Sequence, residues 1–258
     1  MEMETREDDE KLSSCDDAKP SSGQLESSPY INKIVAPGDI VLDLGQLSIP
    51  TLRLGGGLRQ DQDLVVATKA GRLKFIKPNK VWVEGSQKRY IPSLDDVVIG
   101  LVVDRRSENF TIDIGGPIYA SLSIFLFEGA TRRNIPNLQA GSVLYMRVVK
   151  AHRDMTPELS CVDATGKPSG FGQLKDGFVF QCSTGLARAL LSRPTCPVLE
   201  ALGKGLSFEI AVGLNGRVWV NAASVSTTIL VSNAIMNAEF LSAAQQQMMV
   251  QKLLQRVQ

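Results

Sequence analysis

The sequence predicts a mainly β protein that ends in an α+β domain, built from small units in tandem. Three observations carry this prediction. Short apolar segments at strand spacing, separated by Gly, Pro, Asn and Asp, run from Ile34 to about Val162. Beyond Gly170 the pattern changes to strands mixed with helical segments. Near the C-terminal end, Asn215-Gly216 lies between two alternating stretches, with Phe208, Ile210 and Val212 before it and Val218 and Val220 after it. That dipeptide is the strongest short hairpin signal, as a type I′ turn with positive φ at both central residues.

Residues 1–33 hold nine acids, four bases and almost nothing to bury, so they are predicted to be a disordered acidic tail. The remainder holds 24 bases against 18 acids, a mildly basic body that suits an acidic partner or a nucleic acid. Residues 34–92 are predicted to form a small all-β domain. Val35-Ala36-Pro37-Gly38-Asp39 is a turn, Leu64 to Thr68 a strand, and Leu73, Phe75, Val81 and Val83 continue the pattern. Gly55-Gly56-Gly57 invites a phosphate-loop reading, but no Gly-Lys-Ser/Thr follows and the next element is a strand. It is read as a turn, as is Gly203-Lys204-Gly205.

Residues 93–165 supply five short strands: Asp96 to Val103, Phe110 to Gly116, Ala120 to Phe127, Val143 to Val149 and Leu159 to Val162. A longer connector, Glu128 to Gly141, follows the third. That layout fits a five-stranded OB barrel. Residues 166–258 give a strand over Phe178 to Cys182 and a helix through Leu191 with Thr184 as its N-cap. Arg193-Pro194-Thr195-Cys196-Pro197 breaks that helix, and a second runs over Val198 to Leu202. The hairpin follows, then helix from Ser224 to about Phe240 and a helical segment over 242–257. The order β-α-α-β-β-α is that of a KH-like domain.

Composition excludes several function classes. The longest apolar runs, such as Val97 to Val103, fall far short of the ~18 residues that span a bilayer, so no membrane partner is expected. Met1-Glu2-Met3-Glu4 lacks the features of a signal peptide. Cys15, Cys161, Cys182 and Cys196 are scattered, which argues against a zinc site or a disulfide framework and for a reducing compartment. The single histidine, His152, has no nucleophile arranged beside it. Asp95-Asp96 is read as lying on a strand, where adjacent carboxylates point to opposite faces and hold a metal poorly. No catalytic residue, metal or cofactor is therefore expected.

RNA contact is the better reading of the charged residues. Arg105 and Arg106 are placed on the loop after the first barrel strand, Arg132 and Arg133 on the connector, and Lys150, His152 and Arg153 after the fourth strand. Such cations track phosphates without reading sequence. Arg105 and Arg106 are the preferred RNA contact; Arg132 and Arg133 suit RNA or a protein partner equally. Phe110 is predicted to share the core face with Ile112 and Ile114, leaving Tyr119 as the exposed aromatic. Trp219 faces opposite to Val218 and Val220 and is predicted to be buried toward the barrel, joining two domains. Gly213 to Gly216 reads G-x-x-G, the spacing with which a KH domain clamps a nucleic-acid backbone. Here it joins two strands rather than the first two helices, so Gly213, Asn215, Gly216 and Trp219 are read as a structural boundary. Two alternatives stay open: a free-standing regulatory RNA-binding protein, and a structural clamp that never touches RNA.

Several local signatures resemble the exosome component three family. In the first domain they are Gly56-Gly57-Leu58, Lys69-Ala70-Gly71-Arg72-Leu73 and Gln87-Lys88-Arg89-Tyr90-Ile91-Pro92. In the barrel they are Phe127-Glu128-Gly129-Ala130-Thr131 with Arg133-Asn134, and Asp154-Met155 with Pro157-Glu158. Gly213-Leu214-Asn215-Gly216-Arg217-Val218-Trp219-Val220 resembles that family's G-x-N-G element. The resemblance covers about residues 34–240. It implies a non-catalytic cap subunit seated with two other cap subunits on a ring of RNase PH-like proteins. Such a subunit stabilises the ring and passes RNA toward its channel, while associated 3′→5′ nucleases degrade it. It also implies a nuclear and nucleolar location with a cytoplasmic pool.

Overall fold

The computed structural model describes residues 30–46, 51–77, 79–85, 89–106, 108–127, 130, 134, 136–152, 154–163, 166–167, 170–192 and 195–255. Most of the acidic tail predicted over 1–33 thus lies outside the described residues. The chain divides into two compact units, Met1–Gly85 and Ser86–Gln258.

Among the described residues the first unit holds seven strands: β1 (Ile34–Val35), β2 (Ile40–Asp43), β3 (Arg53–Leu54), β4 (Leu58–Asp61), β5 (Leu64–Ala67), β6 (Gly71–Ile76) and β7 (Lys80–Glu84). They form two sheets, β1-β6-β7-β3 and β2-β5-β4. Alternation along the strands turns Val35, Val65, Leu73, Val81 and Val83 into one shared core. The glycine run does more than turn. Gly55 N–H donates to Val81 O at 2.7 Å and Val83 N–H donates to Gly56 O at 3.0 Å, so the run lies close along β7. A Cβ on Gly55 would stand 2.7 Å from that of Trp82, and Gly57 adopts φ +86°, which explains the residue type at both places.

The second unit opens with the barrel: β8 (Val97–Arg106), β9 (Asn109–Asp113), β10 (Ala120–Ser123), β11 (Val143–Lys150) and β12 (Glu158–Ser160). The order β12-β10-β9-β8-β11 closes through a β11–β12 pairing, and β13 (Gly172–Leu174) adds to the other side of β11. Phe110, Ile112 and Ile114 share the barrel core with Val98, Leu122, Leu144, Met146 and Leu159. Tyr119 is 58% exposed, as the sequence predicts.

The C-terminal part follows the predicted order: β14 (Phe178–Gln181), α1 (Thr184–Leu191), α2 (Pro197–Gly205), β15 (Glu209–Val212), β16 (Arg217–Asn221) and α3 (Val225–Asn237), then α4 (Ala243–Leu254). Its sheet has the order β14-β16-β15. The N-cap of α1 is Ser183 rather than Thr184. Its side chain accepts the Leu186 N–H at 3.0 Å, because a cap must sit in extended backbone just before the first helical residue. Val218 and Val220 face the core made with Leu186, Leu202, Val231 and Ile235.

Candidate nucleic-acid interface

Arg105 and Arg106 do not lie on a loop. β8 runs through them and pairs Arg105 with Phe110 and Arg106 with Asn109, so they end a hairpin. The strand continues because a bulge between Val102 and Asp104 absorbs one residue and keeps the ladder in register. Both arginines are exposed. As neighbours on a strand they project to opposite faces. The Arg105 guanidinium sits 5.9 Å from the Phe110 ring centroid, over the end of the barrel core. Arg106 Nε lies 3.8 Å from Asp104 Oδ2, a solvent-exposed pair of little strength.

Lys150 closes β11, and its Nζ is 2.9 Å from Glu158 Oε2, which offsets its charge locally. His152 is exposed just beyond. Arg132, Arg133 and Arg153 lie outside the described residues. Asp95 and Asp96 sit in a turn before β8, not on a strand, and each is engaged. Asp95 adopts φ +63° and accepts from Arg147 Nη1 at 2.7 Å. Asp96 accepts the Tyr90 hydroxyl at 2.8 Å. Burial raises the Asp96 carboxyl above its ordinary value against the opposing effect of the hydrogen bonds it accepts from Tyr90 and from Ser93 N–H. Among the described residues, no group of three or more His, Cys, Asp or Glu gathers to hold a metal.

The hairpin between β15 and β16 differs in detail from the predicted type I′ turn. Gly216 N–H donates to Gly213 O at 3.0 Å, closing a turn around Leu214 and Asn215. Only Gly216 takes the left-handed conformation, at φ +79°. A turn closed around two residues and followed by a left-handed glycine is the common three-residue hairpin loop, and the Asn215 side chain within it is committed to the barrel. Its Nδ2 donates to Ile99 O at 2.7 Å and Ile114 O at 2.8 Å, and its Oδ1 accepts Ile99 N–H at 3.2 Å. Strands β8 and β9 pair as far as Leu101 and Asp113. Asn215 therefore supplies, from its side chain, the partners that Ile99 and Ile114 lack where β8 and β9 part. Leu214 N–H adds a bond to Val97 O at 2.7 Å.

Arg217, which sequence reasoning missed as a boundary residue, reinforces the same joint. Its Nη1 donates to Asp113 O at 2.6 Å and its Nη2 to Asp113 Oδ2 at 2.7 Å. Burial works to raise the Asp113 carboxyl, but the Arg217 bonds and charge, with Gly115 N–H, outweigh it and hold the group below its ordinary value. Trp219 is 5% exposed and donates from Nε1 to Asp176 O at 2.8 Å. Gly177 lies against the indole at φ +74°. The indole thus holds the turn that leads from β13 into β14, while Asn215 and Arg217 grip the barrel wall. The G-x-N-G element spends its polar atoms on protein, whereas Arg105 and Arg106 stand exposed on the β8–β9 hairpin.

A β domain, an S1-type OB barrel and a KH domain, in that order, define the class of three-domain exosome components. Domain-family models match in each part: the S1 domain of exosome complex component RRP40 over residues 90–172, a KH domain over 177–226, and the Exosome complex exonuclease Rrp40 N-terminal domain over 52–89. The chain belongs to the exosome complex component RRP40 family. Relatives of that name include the Drosophila melanogaster protein, 44% identical over 203 residues, covering 78% of this chain and 87% of the relative. The Schizosaccharomyces pombe protein is 43% identical over 218 residues, covering 81% and 90%. The Homo sapiens protein is 39% identical over 206 residues, covering 77% and 74%. A crystal structure of a protein described as exosome complex RNA-binding superposes with a TM-score of 0.56 at 21% identity, covering 66% of this chain and 99% of the other, and shares the fold.

Proposed function

We propose that this chain is a non-catalytic, RNA-binding subunit of the exosome cap, which leads RNA toward associated 3′→5′ nucleases. The observation that carries this reading is the division of labour in the second unit. The G-x-N-G hairpin is buried as a domain joint, while Arg105 and Arg106 stand exposed at the open end of the barrel hairpin. Phosphate contacts made there are sequence-tolerant and salt-sensitive. In the reconstituted complex, reversing both arginines to glutamate shortens or abolishes nuclease protection of bound RNA. Unchanged protection overturns the guidance role.

The finer partners belong to the same proposal. α3 carries no charged residue, and Val225 (76% exposed), Ile229 (55%) and Met236 (38%) fall on one of its faces, with Phe240 (91%) exposed in the 3-10 turn Ala238–Phe240 that follows. An apolar, charge-free stripe suits protein better than RNA, so it is assigned to a neighbouring subunit of the RNase PH-like ring or the cap. Phe240→Asp is expected to weaken co-purification of those subunits without weakening RNA binding by the free chain. The same stripe favours a second reading, a structural clamp, which RNA crosslinking of the assembled complex separates from the first. Residence in the nucleus and nucleolus, with a cytoplasmic pool, rests on family membership and is tested by imaging the tagged chain.

A further inference from the structure

The first unit carries a surface that the barrel-centred reading does not use. In the sheet β1-β6-β7-β3, cross-strand pairs place Lys74 opposite Trp82, Arg72 opposite Glu84 and Ile76 opposite Lys80. β3 sets Arg53 beside Lys80, and β1 sets Ile34 beside Arg72. Directly paired residues share a face, and so do residues two apart on a strand. Leu73, Val81 and Val83 occupy the opposite, buried face. The outer face therefore gathers Arg53, Arg72, Lys74 and Lys80 around a half-buried Trp82, with Glu84 as the one acid among these paired positions. The Lys74–Glu84 contact is long, at 3.8 Å, so Glu84 offsets part of the charge at one edge only. Ile34 (79% exposed) and Ile76 (57%) flank the group.

The glycine run bears on this face as well. Position 55 lies on the same side as Arg53, and a Cβ there would stand 2.7 Å from the Trp82 Cβ. Glycine at 55 lets the backbone lie directly against Trp82, where a Cβ would collide with it, so the run helps fix where the indole stands.

We infer that this outer sheet face is a second RNA-binding surface, on which Trp82 stacks a base of single-stranded RNA while Arg53, Arg72 and Lys80 hold the flanking phosphates. A partly exposed indole among cations on a sheet face is the combination that binds single strands without sequence preference. Charge complementarity favours RNA over protein here, in contrast to the uncharged stripe of α3. The inference rests on the RNA-binding reading of the chain and extends it to a site distinct from the barrel hairpin.

The test uses the full chain and a fluorescein-labelled oligouridylate, read by anisotropy over a range of salt. Trp82→Ala is expected to weaken binding about tenfold, within the range of one lost aromatic stack. Arg53→Gln with Lys80→Gln is expected to lower the slope of log affinity against log salt by about 1.4, the value for two lost contacts to a single strand. Residual binding should survive in Arg105→Glu with Arg106→Glu and vanish when the sheet substitutions are added. Because Trp82→Ala can disturb folding, the wild-type chain is also crosslinked to an oligouridylate carrying 4-thiouridine, and an adduct on the peptide holding Trp82 is expected. Absence of that adduct, or sheet variants that bind as tightly as wild type, overturns the inference while leaving the barrel reading intact. Sheet variants that keep RNA binding but lose exosome subunits on purification also overturn it and mark the face as a protein dock. A wild-type chain that binds no oligouridylate overturns both readings.

Discussion

Asn215 makes three hydrogen bonds across a domain boundary and is 9% exposed, so almost no water can replace what it provides. Replacing it with alanine strands the carbonyls of Ile99 and Ile114, each at a cost of about 1–3 kcal/mol. Asn215→Ala is expected to lower the unfolding free energy by about 3 kcal/mol, measured by urea denaturation of the full chain. Asn215→Asp should be worse than alanine, because a carboxylate would face two carbonyl oxygens and could donate to neither. The hairpin itself was legible from Asn215-Gly216 and its alternating flanks, since a turn is a local matter. The function of the asparagine was not legible. Its partners lie 116 and 101 residues away, and no local pattern encodes a contact at that separation. The same holds for Arg217, which alternation alone marks as an ordinary strand cation.

At the level of elements, β16 presents Val218 and Val220 to the KH core, and Trp219 to the turn before β14. Trp219→Arg would place a charge at a site 5% exposed and break the bond to Asp176, with an expected loss of 4 kcal/mol or more. Trp219→Phe keeps most of the apolar area and loses the hydrogen bond, so its melting temperature should fall much less. Beside it, the link from β16 to β9 is titratable. The Asp113 carboxyl is held below its ordinary value, so its contribution is present above the unfolded-state value and is lost as pH falls through the lower folded-state value. Asp96 has the opposite sign. Its raised value means that acidification through that range relieves the cost of burying its charge. Urea midpoints of Asp113→Asn should therefore lose acid sensitivity below the ordinary carboxylate range, and those of Asp96→Asn should not. The five strands of the barrel were readable from spacing. The extension of β8 through Arg106 was not, because the bulge at Val103 is set by pairing with β9 rather than by composition.

Across the whole molecule, the barrel and the KH domain have separate cores, yet they fall within one compact unit. Ile99 shows how they are joined. It does not belong to the barrel core, but it is 0% exposed, and its N–H and C=O both bond to Asn215. Two cores joined by buried hydrogen bonds of this strength should unfold together, since opening one leaves the other with stranded polar groups. In the wild-type chain, loss of Trp219 burial and loss of amide protection in β8 are expected at the same urea concentration. Trp82 lies in the other unit, so Trp82→Phe isolates the Trp219 fluorescence signal. Combining Asn215→Ala with Arg217→Met removes both grips from one contiguous joint, so their effects should couple rather than add. The double variant is expected to show two transitions, with the Trp219 change preceding loss of β8 protection, while exchange in β6 and β7 stays as in wild type. Coincident transitions in that variant would show that apolar contact alone couples the two domains, and that the asparagine and arginine tune a joint they do not make.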